Sequence, residues 1–166
     1  TDQLTGIFNR RVVFDALDEA MDKANESQDR EFTTIMFDID FFKQVNDTYG
    51  HAGGDAVLIS FAKLLESEIA SPNIVGRIGG EEFLAILYLN QDQAAEFCKK
   101  LIIKINENTV NFDGVDIKIS SSGGVAFSSE TNTSADLTNK ADERLYEAKK
   151  SGRNRFKLID SELVGD

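Results

Sequence analysis

The sequence predicts an α/β fold of the sandwich-like α+β kind: a central mixed, mainly antiparallel sheet of about five strands, with helices on its faces and a peripheral hairpin. Three observations predict it. Helical and strand-like stretches alternate along the chain in the order α-β-α-ββ-α-β-β-α-β. A Gly-Gly pair, Gly79-Gly80, separates two strand-like runs within that alternation, so some strands pair through a tight turn and others across a helix. The runs from Phe32 to Ile39 and from Phe83 to Leu89 are almost wholly apolar, as strands buried on both faces are.

Thr1 to Arg11 is a polar, turn-rich lead-in. Val13, Leu17, Ala20, Met21 and Ala24 recur at helical spacing and predict a helix over 10–27, its other face acidic. Phe32 to Ile39 is rich in β-branched and aromatic residues and reads as a strand. Phe41 to Asn46 reads as one helical turn, and Thr48 to Asp55, with three glycines, as a loop. The next helix carries Val57, Leu58, Phe61, Ala62, Leu65 and Ile69 on one face and ends before Pro72. The Gly79-Gly80 hairpin follows, with a primed turn that needs positive φ at its centre. Gln91 to Glu107 is a third long helix, which buries Cys98. Asp113-Gly114 turns a second hairpin between Val110–Phe112 and Val115–Ser120, and Ser121 to Phe127 continues as a strand past a glycine bulge. A fourth helix runs from Ser134 to a C-cap at Gly152. Phe156 to Ile159 is a closing edge strand, and Ser161 to Asp166 a frayed tail.

The chain of 166 residues is long enough for a proper core and reads as one domain. Residue 1 is Thr, so the chain reads as part of a longer one. A formal charge of −11 argues against a nucleic-acid or anionic-membrane surface. Between Lys140 and Lys157, however, seven basic residues face three acidic ones. No run approaches transmembrane length, and one Cys excludes an internal disulfide and fits a reducing compartment. One His excludes sites that need two, such as HExxH zinc centres.

The acids carry the functional signal. Asp38 and Asp40 lie two apart at a strand end and project to one side. Glu81 and Glu82 open the strand after the bend. With the hairpin's first long strand beside Phe32–Ile39, Asp38 and the glutamates meet across the sheet. One such acid alone is an ordinary strand-end group. Three or four at one edge repel unless hard cations sit among them, and oxygen-only ligands point to magnesium, which keeps substrate phosphates in its shell.

The chain resembles the GGDEF family, the diguanylate cyclases, over essentially its whole length. The signature stands as Gly79-Gly80-Glu81-Glu82-Phe83; TDQLTGIFNRR, FDIDFFKQVNDTYGHAGGD (Phe37 to Asp55) and ADERLYEAKKSGRN (Ala141 to Asn154) match its other blocks in order. The resemblance implies a nucleotidyl-cyclase, polymerase-palm-like fold and condensation of two GTP into cyclic di-GMP, with release of two pyrophosphates. It implies two magnesium ions per site, or manganese, held by Asp38, the Ile39 carbonyl, Glu81 and Glu82, with Glu81 as general base. Asn46 and Asp55 would bind guanine, with His51 and Phe42 beside the nucleotide and Gly79-Gly80 letting it approach the backbone. Lys43, Lys149 and Arg153 would grip phosphates, Lys43 also offsetting charge on the departing pyrophosphate. Lys149 and Arg153, at i and i+4, read as neighbours at a helix end.

A second copy of the domain is implied as partner, in a cytoplasmic signalling protein of which this is the C-terminal part. The family's Arg-x-x-Asp product site is replaced by Ala70-Ser71-Pro72-Asn73, which removes its bidentate arginine and its carboxylate. The rival reading is a non-catalytic module of this fold that holds GTP or cyclic di-GMP; a module that only pairs with a copy leaves the acids without a purpose. Phe41, Phe42 and Phe61 read as core or pocket wall.

Overall fold

The computed structural model of the protein describes residues 1–159 and 163–165. Its helices are α1 (Arg10–Glu26), α2 (Phe42–Glu68), α3 (Gln91–Glu107) and α4 (Ser134–Lys150). Its strands are β1 (Thr33–Ile39), β2 (Ile74–Arg77), β3 (Glu82–Leu87), β4 (Thr109–Phe112), β5 (Val115–Lys118), β6 (Ser121–Phe127), β7 (Arg155–Lys157) and β8 (Leu163–Gly165). Side-chain caps start three of the helices: Asn9, Asn90 and Thr133 accept the amides of Val12, Gln93 and Asp136. Each such cap is worth about 1 kcal/mol. Only α2 starts without one.

Six strands form one sheet in the order β2-β3-β1-β6-β7-β8, with β6 and β7 its one parallel pair among the described residues. β4 and β5 form the separate hairpin. β1 and β6 lie mid-sheet and are buried along their whole length. Alternate residues therefore face two cores. Ile35, Phe37, Ile39 and Phe83 face α2 and α3, whereas Met36, Leu84, Ile86 and Ala126 face α1 and α4. Edge-to-face rings knit the first core: Phe37 meets Phe61 and Phe156, and Phe61 meets Phe83 at 5.1 Å. Such pairs add about 1 kcal/mol each beyond the area they bury. Cys98 is fully buried there, as its helical phase implied.

Four details differ from the sequence-based expectations. The sheet has six strands because Leu163–Gly165 pairs with β7, so the strand at Phe156 is not an edge. The rest of the expected tail, residues 161, 162 and 166, lies outside the described residues. β6 carries no bulge, since its register with β1 is unbroken from Thr33↔Phe127 to Ile39↔Ser121. Its glycines serve packing: a Cβ on Gly124 would lie 1.8 Å from the Ala141 carbonyl oxygen of α4, and one on Gly123 would lie 2.4 Å from the Phe156 ring. The stretch from Thr48 to Asp55 is helical, and its one break is Gly50, with φ 74° and ψ 175°. Finally, Ser151 rather than Gly152 caps α4, and Gly152 follows at φ 131°.

At the end of the sheet away from Asp38, Arg144 of α4 is buried against Glu130. Its guanidinium donates to both carboxylate oxygens at 2.7 Å and to the Val125 carbonyl at 2.8 Å, while Glu130 also accepts the Phe127 amide. Burial pushes the Glu130 carboxyl up, but the Arg144 hydrogen bonds and charge, the Phe127 amide and Lys140 together leave it below its ordinary value. A depressed carboxylate stabilises the fold above its unfolded value, and that gain is lost as pH falls through the folded value. Glu130→Gln is therefore expected to cost about 1–3 kcal/mol in urea denaturation at neutral pH, with the variant and the parent converging in acid.

Candidate functional site

The site forms where β1, β3 and β6 end together. Asp38 stands in register with Glu82 of β3 on one side and Ser122 of β6 on the other. Directly opposed residues of an antiparallel pair hold their Cβ atoms about 5 Å apart on one face, and like charges so placed repel. The strand beside β1 is thus the hairpin's second, not its first. Asp38 is 7% exposed, and its carboxylate accepts Lys149 Nζ at 2.7 Å. Burial is the main cause that raises the Asp38 carboxyl above its ordinary value; Lys149 lowers it, and the Glu81 and Glu82 charges raise it again. One lysine does not offset three acids.

The bend is shaped by its carbonyls rather than by glycine dihedrals. Neither Gly79 nor Gly80 has positive φ, so the primed turn is not formed; Ile78 and Gly79 both donate to the Glu82 carbonyl. Arg77 donates to the carbonyls of Gly79 and Gly80 and pairs with Asp2 at 3.3 Å. Arg10 donates to the Ile78 carbonyl at 2.9 Å. Two guanidiniums therefore hold the three carbonyls before Glu81, and the Glu81 carbonyl accepts the Ile39 amide. A Cβ on Gly79 would lie 3.0 Å from a Glu82 carboxylate oxygen, so a side chain there would make the Glu82 carboxylate shift, while Gly80 faces open space.

Asp40 does not join the acid cluster. It is 4% exposed, and its carboxylate accepts Ser120 Oγ and Ser122 Oγ at 2.6 Å and the Asn154 amide at 2.9 Å. It ties the ends of β1 and β6 to the turn after α4. That turn separates the two cations expected to act as helical neighbours. α4 has ended, Arg153 has φ 63°, and its guanidinium lies over the Phe41 ring at 4.6 Å while Lys149 reaches Asp38.

Gly50 divides α2 into two segments that fold close together. Gly53 and Gly54 are buried, and a Cβ would strike Tyr49 Cβ at 2.4 Å on the first and Asn46 Oδ1 at 1.9 Å on the second. The break thus brings Asn46 against the turn that carries Asp55. Asn46 and Phe42 are half-buried; Lys43, His51 and Asp55 are exposed, and Lys43 has no ion pair among the described residues. Phe61 is core, whereas Phe41 is 53% exposed and lines a surface cavity with Gln44, Tyr49 and Ser120, so each phenylalanine takes one of the two roles expected. Sequence reasoning missed Asp2, Arg10, Arg77, Ser120, Ser122 and Asn154 as parts of the site's frame. Several lie in the motif blocks, yet nothing local says that each meets a group far along the chain.

Among the described residues, no three carboxylate, histidine or cysteine groups are gathered as a ready-made metal cage. The donor chemistry nevertheless fits a hard cation: the carboxylates are oxygen donors, and Asp38 is a buried acid whose charge is under-compensated.

The mixed sheet with paired helices on each face and an acidic notch at one end is the palm-like architecture of the solved GGDEF domains to which the chain is similar. The family model described as "Diguanylate cyclase, GGDEF domain" matches residues 1–155, and this chain belongs to the GGDEF family. It is 36% identical over 98% of its length to diguanylate cyclase A of Treponema denticola, covering 45% of that protein. It is 37% identical to diguanylate cyclase DgcS of Shewanella oneidensis, covering 98% of this chain and 53% of DgcS. The chain spans about half the length of these curated relatives. Among solved structures, it is similar to diguanylate cyclase SiaD of Pseudomonas aeruginosa, crystallised with its activator SiaC (TM-score 0.90, 34% identity, 95% of this chain and 61% of that one). It is also similar to the GGDEF domain of DgcB from Caulobacter crescentus in complex with c-di-GMP (TM-score 0.90, 30% identity, 97% and 93%).

A raised carboxyl takes up a proton on folding. Its ionised form costs stability, increasingly so as pH rises from the ordinary aspartate range through the folded value. Asp38→Asn is therefore expected to melt higher than the parent at neutral pH without metal, by scanning fluorimetry. The gap is expected to close as pH is lowered.

Proposed function

We propose that this domain condenses two GTP molecules into cyclic di-GMP, each of two facing copies binding one nucleotide. The observation that carries the reading is the Asp38↔Glu82 register, which places opposed acids at a buried sheet end beside a bend whose backbone two arginines hold rigid. Such a notch favours a cation bound with an anionic substrate. Asp38, the Ile39 carbonyl, Glu81 and Glu82 would hold magnesium or manganese, which when bound offsets the charge of the triphosphate. Lys149 must then leave Asp38, which frees it for a phosphate.

In this reading Asn46 and Asp55 select guanine, since a carboxylate accepts from the N1 and N2 donors that adenine does not present. Phe42 and His51 border the nucleotide, and Gly79-Gly80 admits it to the backbone. Lys149 and Arg153 hold the terminal phosphates. Glu81 removes the proton from the 3′-hydroxyl of the nucleotide in one copy. That oxygen bonds to the α-phosphorus of the nucleotide in the other, the bond to the β-phosphate oxygen breaks, and pyrophosphate leaves with its charge offset by Lys43. A second condensation closes the ring.

We further infer that residues 1–166 form one domain of a longer cytoplasmic signalling protein, with no nucleic-acid or membrane contact from this segment. No helix among the described residues is long and apolar enough to cross a membrane. Feedback through the Ala70–Asn73 position is absent in this reading. The Asn73 side chain is spent on the Tyr88 amide at 2.9 Å.

Incubating the purified domain at high concentration with GTP and magnesium, with chromatographic detection of product, tests the reading. Cyclic di-GMP is expected from the parent, and Asp38→Ala or Glu82→Gln should cut turnover about a hundredfold or more with the circular dichroism unchanged. Full activity in both variants would refute the assigned roles, and binding of GTP without turnover by the parent would favour the non-catalytic module. Added cyclic di-GMP should leave the initial rate unchanged.

A further inference from the structure

Three non-glycine residues with left-handed backbone meet beside the site: Phe41 at φ 56°, Arg153 at φ 63° and Asn154 at φ 52°. Such conformations persist only where the surroundings over-determine them, and they cluster at working parts of proteins. Here Asp40 supplies the constraint. Its backbone amide and carboxylate bind Ser120, Ser122 and the Asn154 amide, so the chain leaves β1 beside the turn that follows α4. The Phe41 ring is 53% exposed and joins neither core, yet it carries the Arg153 guanidinium at 4.6 Å.

The electrostatics are one-sided. Phe41 is the N-cap of α2, offers no side-chain cap, and is followed by a first turn with no acid and with Lys43 in it. A helix start carries partial positive charge and favours anions. A guanidinium stationed over that start adds to its positive field; the neighbouring Asp40 carboxylate is taken up by Ser120, Ser122 and the Asn154 amide, and Arg153 makes no ion pair among the described residues.

We propose that Phe41 is a positioning residue, its ring holding Arg153 ready for the terminal phosphates of a nucleoside triphosphate. This deepens the reading of the site as a GTP site and rests on it. The arginine's place is set before substrate arrives, so less freedom is lost on binding.

The test is calorimetric titration of the whole chain with 3′-deoxy-GTP, which lacks the attacking hydroxyl, and with GMP, which lacks the terminal phosphates. Phe41→Leu keeps the backbone demand and removes the ring face; Phe41→Gly removes the ring and relieves the backbone, which guards against misfolding. Both are expected to weaken 3′-deoxy-GTP binding about two- to fivefold and to leave GMP unaffected. Phe41→Trp is expected to restore affinity, and Phe41→Leu to add nothing in an Arg153→Ala background. Unchanged 3′-deoxy-GTP binding in both ring-deleted variants, equal weakening of GMP, or a full further loss without Arg153 each overturns the proposal while the GTP site stands. Failure of the parent to bind 3′-deoxy-GTP overturns the GTP reading, and this proposal with it.

Discussion

Two acids facing each other across a pair of central strands is an arrangement that a fold tolerates only for a reason. Asp38 lies one residue from the end of β1 and Glu82 opens β3, so the register that pairs Phe37 with Phe83 also pairs the two carboxylates. The register itself is set by the cores. A slip of one residue would turn Phe37 and Phe83 out of the aromatic cluster and bring Met36 and Leu84 in. Hydrophobic burial thus holds the carboxylates together against their repulsion, and Lys149 is the one cation among the described residues that pairs with Asp38.

Around that pair the molecule invests in backbone rigidity. The bend before Glu81 is bare of side chains, so it cannot be held by its own packing; Arg77 of β2 and Arg10 of α1 hold its carbonyls. Asp2 orients Arg77 in turn and so ties the opening turn of the chain to the bend. On the other flank, Asp40 binds two serines and the Asn154 amide. Both flanks use charged groups on backbone or short side chains, the strong and directional kind of hydrogen bond.

The glycines are placed by contact more often than by dihedral freedom. Gly124 admits α4 to the sheet, Gly54 admits the Asn46 side chain, and Gly79 leaves room for the Glu82 carboxylate. Gly50 does bend the chain, and that bend folds the Asn46 segment of α2 back on the Asp55 segment. Close approach of two elements leaves no trace in the residues immediately beside a glycine, which is why Thr48 to Asp55 reads as a loop and Ser121 to Phe127 as bulged.

The residues taken alone determined the alternation of helices and strands, the long helices, the Asp113-Gly114 turn and the acids at strand ends, because periodicity and apolar runs act locally; which hairpin strand sets Glu82 opposite Asp38 was decided by the sheet. They also carried the four motif blocks that place the chain in its family. Only the tertiary structure decided that Asp40 is a clamp, that Lys149 and Arg153 part at the end of α4, and that Phe41 stands exposed beneath an arginine. Each of these depends on which distant backbone atoms lie within hydrogen-bonding reach, and packing sets that, since side-chain chemistry has no means of announcing it.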